Sequence, residues 1–164
     1  MDDSARWLVI VRHAKSTRPE LAEDGVRPLA ERGERDAAVA GRWLQQNAST
    51  LDLAVCSPAV RARQTWERAA LELAEPPHVS YDRRLYSNSQ EALWDLARTL
   101  PRSARAVALI GHNPELEDFV SLATGAPRQL KTSAIAVLSV ATAWADLAPG
   151  AASVAALVVP RHGP

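Results

Sequence analysis

The sequence predicts an α/β fold. It is a three-layer sandwich with a mainly parallel central sheet, helices on both faces and an antiparallel C-terminal element. Three observations carry this. Short apolar runs alternate with segments of helical period over the first two-thirds of the chain, the pattern of βαβ units around a parallel sheet. Runs such as "LVIV" are continuously apolar, as strands buried on both faces must be. The last third instead carries two apolar runs, at 134–140 and 153–159, separated by a turn region containing Pro149 and Gly150; these read as a hairpin.

The strands are expected at 7–11, 53–56, 78–81 and 106–110. Between them, Ala37, Ala40, Trp43 and Leu44 share one helical face, as do Leu93, Leu96, Ala97 and Leu100. Leu116, Phe119, Val120 and Ala123 keep the i, i+3, i+4, i+7 spacing most cleanly. The Pro- and Gly-containing stretches at 18–33 and 73–77 read as loops. Trp43, Trp66 and Trp94 fall in helical patterns and are read as packing residues. Cys56 ends a strand as a small hydrophobe. Arg32, Arg35, Arg42 and Arg63 are read as solvated helix faces, and His78 and His162 stand without supporting neighbours.

A chain of 164 residues fits one domain, taken as 1–164 with a flexible tail over 159–164. A formal net charge of zero creates no global field toward nucleic acid or membrane, and neither partner is expected. One cysteine excludes an internal disulfide framework and a multi-thiolate metal site. The start, "MDDSARW", is acidic and lacks the apolar run of a signal peptide. No apolar stretch approaches the roughly 18 residues of a membrane span. The expected location is the cytoplasm.

Ligands of open α/β sheets bind outside the carboxyl ends of the strands, so the residues there matter most. After the first strand comes Arg12-His13-Ala14-Lys15-Ser16, after the second Ser57-Pro58-Ala59-Val60-Arg61, and after the fourth Gly111-His112-Asn113-Pro114. Two of the 4 histidines thus meet at one edge with two arginines. Ser57 is read as a helix cap with Pro58 at the first helical position, and Asn113-Pro114 as a repeat of that arrangement. Helix N-termini favour anions, and arginine forks suit a tetrahedral oxyanion. Alone, each segment has an ordinary reading as core histidine, cap or tight turn. Their coincidence on one edge points to a phosphate site.

These segments also carry a resemblance. "VRHAKS" resembles the Arg-His-x-x-Ser/Thr signature of the histidine phosphatase superfamily, which includes the cofactor-dependent phosphoglycerate mutases. "SPAVRARQT" resembles its second motif and "GHNP" its second-histidine motif. "RPLAERG" at 27–33 and "TSAIAVL" at 132–138 are similar to the small SixA-type phosphohistidine phosphatases. The resemblance implies His13 as nucleophile, Arg12 and Arg61 holding the phosphoryl oxygens, and His112 contacting them from the opposite side. Ser16 matches the signature Ser/Thr and, with Asn113, joins the phosphate-binding set. Lys15 stands where the superfamily often has Glu or Gln and is a further candidate, as is Asp82. No metal and no cofactor are expected.

The chemistry fits those residue types. Phosphoryl transfer needs positioning and charge stabilisation, and a nucleophile that carries the group splits hydrolysis into two displacements. His13 must be neutral, with one nitrogen bare and the other donating to an acceptor. His112 is expected to work better protonated, so that the pair has separated pKa values. Phosphoglycerate mutases and related phosphomonoesterases carry a Leu-x-Glu acid after the third strand. Here Leu85 in the leucine's place puts Ser87 at the acid's position, with Asp82 and Glu91 out of register. A missing acid points away from phosphomonoesters and toward the P–N bond, whose imidazole leaves more readily. Short connections leave little material to roof the pocket, which suits a phosphorylated side chain on a partner protein, of the histidine-phosphotransfer or phosphocarrier type. Two alternatives stand. One is a phosphatase for small phosphomonoesters or nucleotides using Asp82 or Asp24 as acid; the other is a phosphoprotein-binding module without turnover. A metal site on His13 and His112 fails on ligand count.

Overall fold

The computed structural model describes residues 5–48, 50–161 and 163. Its centre is a 6-stranded sheet in the order β3-β2-β4-β1-β5-β6. The strands are β1 (Arg6–Arg12), β2 (Leu53–Cys56), β3 (His78–Tyr81), β4 (Ala106–Gly111), β5 (Ile135–Val140) and β6 (Ala152–Val158). The first four run parallel. β5 lies antiparallel to β1, and β6 antiparallel to β5 with an irregularity at Val137/Leu138. The mainly parallel sheet with an antiparallel end is therefore present, and the hairpin strands fall within a residue of the expected runs.

Helices α1 (Glu31–Asn47) and α2 (Val60–Ala70) cover one face; α3 (Gln90–Arg98) and α4 (Glu115–Thr124) cover the other. The alternation of the strands sorts their side chains between two cores. Val9, Val11, Ala108 and Ile110 pack with Ala40, Leu44, Ala62 and Trp66. Leu8, Ile10, Val107 and Leu109 pack with Leu93, Trp94, Leu116 and Phe119. Trp66 and Trp94 are buried as expected, whereas Trp43 is only partly so. Among the described residues no helix is long and apolar enough to cross a membrane.

The stretch read as a loop over 18–33 is shorter than that. Asp24–Val26 forms a 3-10 turn and α1 already begins at Glu31, where Glu31 and Glu34 complement the positive helix end. His162 and part of the tail expected over 159–164 lie outside the described residues, as do 1–4 of the N-terminal stretch.

Two glycines let helix α1 approach other backbone closely. A Cβ at Gly41 would collide with the carbonyl of Ala69 in α2, and one at Gly33 with the carbonyl of Lys15. The second contact seats α1 directly on the chain leaving β1. Gly33→Ala is expected to lower stability by about 1–3 kcal/mol, as overpacking does, and to displace the Lys15 backbone. Thermal unfolding together with the heteronuclear NMR shifts of residues 13–16 checks both effects.

Candidate functional site

The register of β1 against β4 builds the site. Arg12 pairs with Gly111, and His13 N–H continues the ladder to the Gly111 carbonyl at 3.0 Å. The residues that follow in each strand, His13 and His112, therefore come side by side, with ring centroids 5.1 Å apart. In the same way β2 ends beside β4, and Ser57 N–H reaches the carbonyl of Ile110 at 2.9 Å. Three strand ends thus deliver Arg12-His13, Ser57 and His112 to one place. Arg12, His13 and His112 line a cavity of ≈ 590 Å³ with Arg61, Asn113, Lys15 and Ser16, and Ser57 lies buried behind His112.

His13 is held in one tautomer. Its Nδ1–H donates to the carbonyl of Ala14 at 2.7 Å, which leaves Nε2 bare. That unprotonated Nε2 accepts a long hydrogen bond from Arg61 Nε–H, at 3.4 Å. The Ala14 peptide is held in turn, because its N–H donates to Thr65 Oγ1 at 2.9 Å, and that hydroxyl donates to the Arg61 carbonyl at 2.6 Å. Gln64 Oε1 accepts from Leu29 N–H at 2.8 Å and ties the far side of the loop to α2. The Gln-Thr pair of the second motif is thus the brace between the two halves of the site.

Arg12 Nη1 donates to the Leu130 carbonyl at 2.7 Å, while its buried Nε has no partner among the described residues. Asn113 does not cap α4, whose flanking residue is Pro114. Instead its amide donates to Glu117 Oε2 at 3.1 Å and to the Leu130 carbonyl at 2.9 Å, joining Arg12 in holding the 128–131 segment. Ser57 likewise is not the cap of α2, which begins two residues later than expected, at Val60 after Ala59. The Ser57 hydroxyl accepts from Ala59 N–H and contacts His112 Nε2 at 2.7 Å. Both residues are spent on the site rather than on the helices that follow.

The loop before α1 reaches back over the cavity, contrary to the expectation of too little chain for a roof. Asp24 takes Arg61 through its carbonyl, at 2.7 Å from Nη1, and through Oδ2, at 3.0 Å from Nη2. Tyr86 O–H donates to the same Oδ2 at 2.7 Å, and Arg27 Nη2 bonds Oδ1 at 2.8 Å. Arg27 Nη1 also donates to Ser16 Oγ at 3.4 Å. Tyr86 packs beside His112, with ring centroids 5.4 Å apart.

Lys15 is exposed at the rim. Asp82 lies outside the cavity lining: both its oxygens are taken by Arg84, with Oδ2 2.7 Å from Nη2. The position aligned with the acid, Ser87, turns away and donates to the Arg84 carbonyl. Sequence reasoning assigned no role to Arg27 or Tyr86. Arg27 belongs to the quoted "RPLAERG" and could have been found there; Tyr86, between Leu85 and Ser87, gave no signal.

The expected separation of the two histidine pKa values is not what the site provides. Burial first, then the nearby arginines, lower His13 to about 4 despite the Ala14 hydrogen bond. Burial, then His13 and Arg61, lower His112 to about 3. Both rings are neutral near pH 7. Asp24 is held far below the ordinary carboxylate range by the Tyr86 hydroxyl and by Arg61 and Arg27. Among the described residues no three His, Cys, Asp or Glu side chains gather as metal ligands.

The sequence and the fold of the chain are similar to those of known proteins. The family model of the histidine phosphatase superfamily (branch 1) covers residues 8–87. The Mycobacterium tuberculosis protein Rv1276c is 33% identical over 162 residues, spanning 92% of this chain and 100% of its own length. The chain belongs to the histidine phosphatase superfamily. A structure from Nakamurella multipartitia, assigned as a phosphohistidine phosphatase SixA, superimposes with a TM-score of 0.85 at 30% identity, covering 95% of this chain and 96% of that one. The protein histidine phosphatase SixA complexed with tungstate shares the fold, with a TM-score of 0.81 at 23% identity and coverage of 94% and 97%. Within the superfamily the chain is of the SixA type.

The neutral histidines make folding pH-dependent in a set direction. Below pH 6.5 the unfolded chain binds protons on these rings that the folded chain refuses, so stability is present above that pH and lost as pH falls. Between pH 6.5 and 5 each ring is expected to cost about 1–2 kcal/mol. Urea unfolding across that range should show the loss, and His112→Asn should remove about half of its slope.

Proposed function

We propose that this superfamily member is a phosphohistidine phosphatase that works without metal through a phosphohistidine intermediate on His13. The substrate is phosphohistidine on a partner protein of the phosphotransfer or phosphocarrier type. The observation that carries this reading is the bare Nε2 of His13, set by the Ala14 carbonyl and facing Arg61. In the first displacement Nε2 bonds to phosphorus while the P–N bond of a substrate ring protonated on its other nitrogen breaks. The electron pair stays on that ring, which leaves as neutral imidazole, and His13, keeping its Nδ1 proton, becomes a phosphoimidazolium. In the second, a water oxygen bonds to phosphorus, the P–Nε2 bond breaks, and the pair returns to His13. The water's proton goes to solvent and orthophosphate leaves. Arg12 and Arg61 offset the charge of the equatorial oxygens, which is the main demand of the reaction.

The leaving group argues for the P–N bond. An alkoxide needs a proton in the transition state, and Asp82 and Ser87 lie away from the cavity. One observation favours the phosphomonoester reading: Asp24 stands in the cavity. Its carboxyl is ionised and accepts from three partners, the wrong state for an acid. Exposed Lys15 and Arg18 line the cavity, and the fully exposed Leu21 follows three residues after Arg18, a surface suited to a protein partner.

The test is phosphate release in excess EDTA from a phosphohistidine-bearing protein and from an aryl phosphate. Faster release from the first supports the reading, and faster release from the ester replaces it with the phosphomonoester reading. His13→Ala should abolish turnover, and Arg61→Ala should lower it by about 100-fold; near-normal rates in His13→Ala would exclude the mechanism.

Asp24→Asn separates the two roles of that residue. If its carboxylate only competes with phosphate for Arg61, orthophosphate inhibits this variant at roughly two- to fivefold lower concentration, the scale of an exposed ion pair. If it is the acid, ester turnover falls at least about 100-fold instead.

A further inference from the structure

Ser57 is completely buried at 0% exposure, and its hydroxyl has two polar neighbours among the described residues. Ala59 N–H, at 3.2 Å, can only donate and so takes one oxygen lone pair. His112 Nε2, at 2.7 Å, is the other neighbour, and the hydroxyl proton has no second acceptor there. Were Nε2 the donor, the serine proton would be left buried without a partner, a loss of about 1–3 kcal/mol. The Nδ1 atom of His112 is also buried and has no hydrogen-bond partner among the described residues, and the ring lines the cavity.

We infer that Ser57 donates to His112 Nε2, holds the neutral ring with its proton on Nδ1, and so makes His112 an uncharged hydrogen-bond donor to the phosphoryl group. The inference rests on the phosphatase reading and deepens it. Ser57 is a positioning residue: it acts through His112 and touches no substrate atom itself. The two histidines are then set by opposite partners. The Ala14 carbonyl accepts a hydrogen bond from His13 Nδ1–H, which leaves Nε2 unprotonated. The Ser57 hydroxyl donates a hydrogen bond to His112 Nε2, which leaves Nδ1–H for the oxyanion. His112 does not have to change charge when the phosphoryl group arrives.

The ring-nitrogen 15N spectrum of the full chain tests this, with the His112 signals identified by their loss in His112→Gln. The expected result is a protonated Nδ1 and a bare Nε2, with the Nδ1 signal moving on addition of orthophosphate. Ser57→Ala should shift the ring toward the Nε2–H form and lower kcat about tenfold or more. Ser57→Thr, which keeps the hydroxyl, should restore both. A wild-type His112 protonated on Nε2 overturns the inference, as does a folded Ser57→Ala that keeps the Nδ1–H form and its kcat. The spectrum needs no turnover. Inactivity on phosphohistidine would therefore count against the functional reading alone, while the tautomer still decides this one.

Discussion

The hydrogen bond from His13 Nδ1 to the carbonyl of Ala14 sets the direction of the one lone pair on which the proposed chemistry turns. Its acceptor is a backbone group of the next residue, so the imidazole can hold this tautomer only while the Ala14 peptide keeps its orientation. That orientation is held from α2, by the acceptor that Thr65 offers to Ala14 N–H. The same threonine hydroxyl donates to the carbonyl of Arg61, one turn earlier in the helix. Nucleophile and arginine are thereby held through one side chain. A shift of α2 against β1 would move both together and keep their mutual geometry.

A chain with no net charge has gathered its cations unevenly. Arg12, Lys15, Arg18, Arg27 and Arg61 line one cavity, opposed there by Asp24 and Glu115. Like charges brought together in a partly buried space repel, and burial strengthens the repulsion. The site limits this in two ways: its histidines stay neutral, and Asp24 binds to Arg61 and Arg27. A phosphoryl group bound as proposed would bring the missing negative charge. Its oxygens would compete with the Asp24 carboxylate for Arg61, so substrate entry and the position of the loop over 17–30 would be linked through one ion pair.

What was legible in the sequence follows from how each part is positioned. Strands and strand-end residues were read well because burial on both faces leaves a continuous apolar signal, and because a parallel register carries strand ends to a common edge. His13, His112, Arg12 and Arg61 are brought together for that reason. Helix starts were read less well. Ser57 and Asn113 have the right side chains for caps, yet each is drawn to a long-range partner, His112 or the Leu130 carbonyl. Local propensity proposes a cap, and the tertiary contact overrides it. Asp24, Arg27 and Tyr86 meet only because an irregular loop folds back on the sheet edge, and no periodicity reports such a path. Asp82 was the converse case. Close in sequence to the expected acid position, it is held by Arg84 two residues on.

The neutrality of both histidines changes how the site must be understood. A pair with one imidazolium would supply a full charge to the phosphoryl oxygens, but that charge would have to be held beside Arg61 and Arg12 in a buried space before any anion arrived. Burial, then His13 and Arg61, make it too costly at His112, which is why that ring stays neutral at pH values where an exposed histidine would begin to charge. A guanidinium in general holds its proton far more tightly than an imidazole. The division of work follows from these affinities. Permanent charge comes from groups that cannot lose it, and direction comes from imidazoles whose tautomers are set by fixed neighbours. In the proposed transfer a neutral His13 would displace a neutral imidazole from a protonated phosphohistidine ring, so the cradle would face the same net charge before and after. An arrangement whose charge is carried by arginines and whose histidines are set at strand ends suits both proposed displacements.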